Sequence, residues 1–275
     1  MSKGNRARII KILVRRELKS TLYGIGFYAV ITFALLISSL VLRNYIQTIK
    51  TDSLFISSNP LNYPLYLSIL IGSIYLALIS TISISKERED RTLQTLFFGP
   101  VDDLSYLIGK YLQQMLSFII ILVFFSLYFL LSSYLINFVF SVGLIKLVLL
   151  SIFLGSCIIS FGLFLSTLTK QVKTSIIIFI SVMFFFLGLQ LINSVLIGVE
   201  PGNVKGVILY LRNVVEVLNK GISWISPFSY LSRGLEAVKI GTYVAYGKSL
   251  LSAIIYTLVF LLLATWNFKS KGVRK

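Results

Sequence analysis

The chain has 275 residues, of which 56% are apolar and 13% charged, with a mean hydropathy of +0.89 and a formal net charge of +16. Soluble domains are about 45–50% apolar and about 25% charged. The apolar residues also form long runs, and about 20 helical residues cover the ~30 Å hydrocarbon core of a bilayer. The composition excludes a soluble globular domain and indicates a protein embedded in a membrane.

The N-terminal segment, residues 1–21, precedes the first apolar run. Arg8, Lys11, Arg15 and Lys19 recur at helical spacing, and isoleucine and leucine residues lie between them. This pattern predicts an amphipathic helix lying on the membrane surface. A basic anchor without a fixed structure is the alternative.

The apolar runs are predicted to be transmembrane α-helices. Only helices and closed barrels satisfy every backbone N–H and C=O group in lipid, and barrel strands alternate over about ten residues. The runs here are continuous, as in residues 118–125. We therefore predict an all-α integral membrane protein, with residues 1–275 as a single transmembrane domain. About six spans are predicted, at residues 22–42, 65–84, 112–136, 144–168, 175–197 and 250–268.

Lysine and arginine are distributed unevenly around these spans. With six spans both termini lie on one side, and that side carries 17 of the 26 basic residues. Six of the other nine lie in the long segment 198–249, and long segments weigh less in the positive-inside rule. Both termini are therefore expected in the cytoplasm. The positive charge is assigned to orientation and to anionic membrane lipids, and not to nucleic acid.

The loop at residues 86–110, after the second span, begins with a cluster of charged residues. Leu93, Leu96 and Phe97 then recur at i, i+3 and i+4, which predicts a short helix with an exposed apolar face, and Pro100 would follow its end. A charged collar followed by such a face is a candidate docking surface for a partner protein. A connector lying on the membrane is the alternative.

Two short helices are predicted in the outer segment 198–249, before the last span. An apolar stripe marks the first at Val204–Lys220, and Ser226 as N-cap with Pro227 at the first helical position marks the start of the second. Gly241 would follow its end. The pair is expected to form a lid or a re-entrant element, and an ordinary folded loop is the alternative.

An outer gate is the corresponding functional hypothesis. Trp224 lies between the two short helices, beside Pro227. Gly221 and Gly241 flank the second helix and could absorb a backbone rotation, because glycine reaches positive φ at little cost.

Several kinds of chemistry are excluded by the residue types. The chain has no histidine, and no acidic residue lies in a predicted span, which argues against proton-coupled transport. The nearest match to a phosphate-binding loop, Gly241–Ser249, has five residues between its glycines where four are needed, and it follows a predicted helix. We therefore expect no nucleotide, metal or catalytic site on this chain.

The loop after the second span resembles a known family, the ABC type-2 transporter permeases. That family shows a Glu-Arg-Glu-x-Gly-Thr-Leu-Glu pattern, then a proline and a later Gly-Lys pair. The matching residues here are Ser85-Lys-Glu-Arg-Glu89, Thr92-Leu93, Leu96, Pro100 and Gly109-Lys110, together with Ser226-Pro227-Phe228 and Arg233-Gly234 in the outer segment. Arg91 and Gln94 depart from it, since they stand where the family usually has glycine and often has glutamate.

The resemblance implies the membrane-spanning subunit of an ATP-driven exporter in a prokaryotic cytoplasmic membrane. A second permease subunit, identical or related, would pair with this one. Two cytoplasmic ATPase subunits would bind ATP and Mg²⁺ and perform the hydrolysis, so this chain would bind no cofactor and would not be an enzyme. Residues 1–21 would form the elbow helix of the family, and Lys170–Lys173 a smaller ATPase contact. The ATPase-docking residues would be Glu87, Arg88, Glu89, Thr92, Leu93, Leu96, Phe97 and Pro100.

Two other functions remain open from the residues alone. One is an ATP-independent membrane transporter or channel, and the other is a membrane assembly factor that transports nothing. The substrate is left undetermined by the sequence.

Overall fold

A computed structural model describes residues 3–52, 61–98, 101–136, 142–198, 207–240 and 242–270. Within these ranges the chain forms ten α-helices and no strand. The helices are α1 (Lys3–Leu22), α2 (Ile25–Asp52), α3 (Asn62–Glu89), α4 (Thr92–Phe97), α5 (Asp103–Ile136), α6 (Val142–Leu168), α7 (Val172–Gly198), α8 (Val207–Ile222), α9 (Pro227–Ile240) and α10 (Tyr243–Ser270). Two predicted site residues, Pro100 and Gly241, lie outside the described residues.

Six helices, namely α2, α3, α5, α6, α7 and α10, are long and apolar enough to cross a membrane. This confirms the predicted all-α membrane fold and the number of spans. Several helices extend beyond the predicted spans, and α5 begins nine residues earlier than expected. Hydropathy marks only the lipid-embedded part of a helix, while its backbone hydrogen bonds continue into the interface.

Helices α3 and α6 form the centre of the bundle and share its largest interface. Small residues allow the two backbones to approach closely, and a Cβ on Gly162 would lie 2.6 Å from the carbonyl oxygen of Ala77. Thr81 Oγ1 donates back to that carbonyl at 2.8 Å, so its hydroxyl is satisfied within its own helix. The interface therefore depends on close packing of small side chains.

Helix α10 runs parallel to α6 in a constant register. Ser156 Oγ bonds Thr257 Oγ1 at 2.8 Å, and further along Asn267 Nδ2 donates to Thr167 Oγ1 at 3.0 Å. The partners in each pair are about 100 residues apart in sequence. Hydroxyl and amide pairs of this kind fix the register of helices that lie in lipid.

Helices α8 and α9 meet at a turn, and we call the two helices with their turn the hairpin; α8 packs on α7, and α9 packs on α6 and α10. The hydroxyl of Tyr256 donates to the carbonyl of Ile225 at 2.7 Å, and the hydroxyl of Tyr230 to that of Trp224 at 3.1 Å. Tyr256 lies about 20 Å from either end of α10. Both predicted short helices are thus present, and the turn between them lies beside the middle of α10.

Replacing Gly162 with alanine tests the close α3–α6 contact. The added Cβ would meet the backbone of α3, so we expect Gly162→Ala to destabilise the protein by about 1–3 kcal/mol. Gly188→Ala in α7 is the matched control, because a Cβ there meets no atom within 4 Å and alanine raises helix propensity. Thermal unfolding in detergent should show the loss only for Gly162→Ala, and equal midpoints for both variants would contradict the packing.

Candidate functional site: a polar junction behind helix α4

One end of the bundle collects most of the polar contacts between helices, and we call it the polar junction. It is formed by α1, the last turn of α3, the short α4, the first turns of α5, and the adjoining ends of α6, α7 and α10. Helix α1 packs along the start of α5, with buried Leu13 against Gly109. Its basic residues Arg8, Lys11 and Arg15 face outward, as expected for an amphipathic helix.

The ammonium group of Lys110 lies at the centre of the polar junction. The Lys110 side chain is 4% exposed, and its Nζ lies 2.6 Å from Glu87 Oε1 and 3.0 Å from Glu17 Oε2. Arg16 adds a second cation, 2.7 Å from Glu17 and 3.8 Å from Glu87. Two cations and two carboxylates therefore compensate one another, and they join α1, α3 and α5.

The same ion pairs determine the charge state of Glu17. Burial raises the pKa of Glu17, but the Lys110 ammonium and the Arg16 guanidinium lower it by more. The pKa of Glu17 is therefore below its ordinary value, and the carboxylate is ionised at neutral pH.

Glu87 also binds the aromatic part of the junction. Tyr106 is fully buried and its hydroxyl donates to Glu87 Oε2 at 2.6 Å. The Tyr106 ring stacks on Phe268 at 5.5 Å between centroids, and the Phe97 ring lies 5.8 Å from Tyr106. This cluster connects α4, α5 and the end of α10.

The next two residues of α3 bind the ends of two other helices. Arg88 Nη1 donates to the carbonyls of Thr167 and Thr169 at 3.0 Å each, where α6 ends and its carbonyls lack helical partners. Glu89 Oε2 accepts the backbone N–H of Val172 at 2.7 Å, at the start of α7. Three consecutive side chains of α3 thus bind α5, α6 and α7.

Helix α4 turns a different face outward from the one the sequence suggested. Leu93 is buried, and Leu96 and Phe97 pack against the core, so the expectation of an exposed apolar face on these three residues is wrong. The Phe97 ring packs against Tyr106 and Phe268 instead. The described residues of this segment that are exposed are Arg91, Thr92, Gln94, Thr95 and Phe98, and Phe98 is 91% exposed.

The backbone at Arg91 has a conformation that glycine reaches more easily than other residues. Arg91 has φ 56°, in the left-handed region, as the residue before the first turn of α4. Glycine reaches this conformation without the cost of about 1–2 kcal/mol that a side chain incurs. A residue with φ > 0 is therefore required between α3 and α4, which accounts for the glycine usual in the family at this position.

The predicted outer-gate residues lie in the hairpin of α8 and α9. Trp224 is exposed in the turn, and Pro227 is buried as the first residue of α9. Gly221 is in the last turn of α8, and a Cβ added there would meet no atom within 4 Å. Arg233 was not singled out by the gate hypothesis. Its guanidinium lies 5.2 Å from the Trp224 ring and donates to Ser223 Oγ at 2.5 Å.

The segment that resembled a phosphate loop is helical. Residues 243–249 form the first two turns of α10, and Gly247 lies within the helix. The described residues contain no group of three or more metal-ligating side chains. The contacts of the polar junction are ion pairs and helix caps.

These features define a multi-pass, all-helical membrane protein with an internally paired polar junction at one end and the hairpin of α8 and α9 toward the other. The chain matches the model of the family described as ABC-2 family transporter protein over residues 19–273. It belongs to that family, and it is therefore a permease component of an ABC transporter that works with an ATP-binding partner. A comparison with curated proteins gives no match.

Removing the Lys110 ammonium tests the polar junction. Lys110→Met would leave Glu17 and Glu87 with one cation between them, and breaking a buried pair in this way costs about 3–5 kcal/mol. We expect a large drop in the thermal midpoint of the purified protein. Lys19→Met, which removes an exposed lysine from α1, is the control and should change little. Equal midpoints for the two variants would contradict the central role of Lys110.

Proposed function

We propose that this permease is the membrane subunit of an exporter, with both termini in the cytoplasm of a prokaryotic cell. In this proposal the polar junction lies at the cytoplasmic surface, and a separate ABC ATPase docks on α4 and carries ATP and Mg²⁺. The main supporting observation is that α4 presents an exposed face while its inner face is bonded into the junction. A force applied to α4 therefore reaches six other helices.

The docking surface proposed here is the outer face of α4. Phe98 is 91% exposed next to an end of the bundle rich in charge, and an aromatic side chain in such a position is typical of an interface anchor. Thr92, Gln94 and Thr95 surround it with exposed polar groups. In this proposal Glu87, Arg88 and Glu89 support the docking helix from behind instead of contacting the ATPase.

The proposed coupling runs from α4 through the junction. Movement of Phe97 would displace Tyr106 and Phe268, which are packed on it at the start of α5 and the end of α10. The three side chains at the end of α3 would carry the same displacement to α6 and α7. The charges of these side chains are paired inside the protein, and breaking such pairs costs free energy. The polar junction is therefore expected to move as a unit.

The proposed exit gate is the hairpin of α8 and α9. Asn213, Glu216 and Lys220 are exposed on α8, whose last residues lead into the turn beside the middle of α10. Charged groups at that depth are tolerated when they face a water-filled cavity or the bundle interior. A water-filled path beside α8, opened by rotation at Gly221 and Gly241, accounts for these side chains.

Pairing with a second permease subunit would enclose such a path. Of the six membrane-crossing helices, α7 and α2 are the least buried. Phe184 and Phe185 on α7 are exposed, and α7 also packs against α8. A second copy of the chain, or a related one, that covers α7 would place the two hairpins on either side of one path.

Replacing the exposed phenylalanine tests ATPase docking. We expect Phe98→Ser to reduce co-purification of the ATPase several-fold, because the anchor is lost, while the thermal midpoint of the permease stays unchanged. Tyr23→Ser is the control, since Tyr23 is 84% exposed where α1 ends, away from α4. Undiminished co-purification with Phe98→Ser would mean that the outer face of α4 is not the contact.

Labelling of the hairpin tests the gate without knowledge of the substrate. The Lys220→Cys variant is made in a Cys157→Ser background, which removes the single native cysteine. It is then treated with a membrane-impermeant maleimide added from outside. We expect the rate of labelling to change several-fold between the nucleotide-free and ATP-bound complexes. Tyr134→Cys, at the outer end of α5, should label equally in both. A nucleotide-independent rate at residue 220 would show a static cap.

A further inference from the structure

Two adjoining cavities open on the surface formed by α9 and α10. The smaller, of about 170 Å³, is lined by three charged side chains, Arg233, Glu236 and Lys248. The larger, of about 380 Å³, has a largely apolar lining that includes Tyr256 and Leu263. Trp224 and Ser252 line both cavities, so the two form one continuous groove with a charged part and an apolar part.

The order of the two parts along α10 is that of a lipid in one leaflet. Lys248 lies about 8 Å from the start of α10, at the hairpin end of the bundle. The apolar part begins at Ser252 and extends about 17 Å along the helix to Leu263, toward the bilayer centre and beyond. The charged part therefore lies between that end of the bundle and the hairpin turn, and the apolar part continues inward from the turn, at acyl-chain depth.

The charges of the groove are suited to a headgroup that carries both signs. The Arg233 guanidinium lies against the rings of Trp224 and Tyr230, at 5.2 and 5.7 Å from their centres. Within the described residues, neither it nor Lys248 lies within 4.0 Å of a carboxylate. Two cations are thus available to a phosphate group. Glu236, one turn after Arg233 in α9, supplies a single carboxylate for an ammonium group.

We propose that this groove binds a phospholipid whose headgroup carries a phosphate and a primary ammonium, which is the chemistry of phosphatidylethanolamine. The phosphate lies between Arg233 and Lys248, the ammonium on Glu236, and one acyl chain along α10 beside Tyr256. The bound lipid contacts Trp224 in the hairpin turn. This site depends on the membrane fold alone and does not require the proposed ATPase docking or gating.

Fluorescence quenching of Trp224 measures occupancy of the groove. The chain has two tryptophans, and Trp266→Phe leaves Trp224 as the only one. This protein is reconstituted in phosphatidylglycerol vesicles, and a phospholipid with brominated chains is titrated in, either phosphatidylethanolamine or phosphatidylglycerol. Quenching is normalised to vesicles without bromine. We expect half-maximal quenching at a several-fold lower mole fraction of the brominated phosphatidylethanolamine.

Substitutions then separate the two headgroup contacts. Glu236→Gln should abolish the preference for phosphatidylethanolamine over phosphatidylglycerol. Arg233→Gln combined with Lys248→Gln should weaken quenching by both lipids to the level of random contact with the bilayer. Lys146→Gln, a lysine held over Tyr243 at the same end but outside the groove, should leave the preference intact. Equal quenching by the two lipids, or a preference that survives Glu236→Gln, would overturn the proposal.

Discussion

The ion pair between Lys110 and Glu87 is the contact on which the polar junction depends. Successive residues of a helix point about 100° apart, so Glu87, Arg88 and Glu89 reach three different neighbours from one turn of α3. Glu87 holds α5 and, through Lys110, α1, whereas the other two bind α6 and α7. A charge left unpaired here would be poorly hydrated, which makes the whole set interdependent.

The bundle connects this junction to the hairpin through rigid packing. Helices α3 and α6 are in close backbone contact at Gly162, and α6 also contains Leu154, against which Gly234 of α9 packs. The hydroxyl of Tyr256 then fixes the hairpin turn to α10. Packed cores of this kind shift between discrete arrangements and do not deform gradually. The proposed coupling of ATP binding to the hairpin requires such a shift of α6 and α10.

The helices could be predicted well from the sequence because their signals are local. Apolar runs defined six spans, and Pro227 marked the first residue of α9. The spacing of Leu93, Leu96 and Phe97 correctly indicated one apolar face, but spacing does not reveal what covers that face. The cover includes Phe268, about 170 residues later in the chain, and no local pattern signals a contact over that separation. For the same reason no local pattern revealed that Glu87 and Arg88 have partners within this chain.

The central claim of the proposal is that ATP binding by an ATPase docked on α4 moves the hairpin through the polar junction. Double electron–electron resonance measures this movement directly in the complex with the ATPase. The spin labels are attached at Ile225→Cys and Tyr134→Cys in a Cys157→Ser background. The account predicts that the distance distribution shifts when ATP binds, and that Lys110→Met removes the shift while the ATPase stays bound. If the protein that keeps Lys110 gave the same distance distribution with and without ATP, the account would be contradicted.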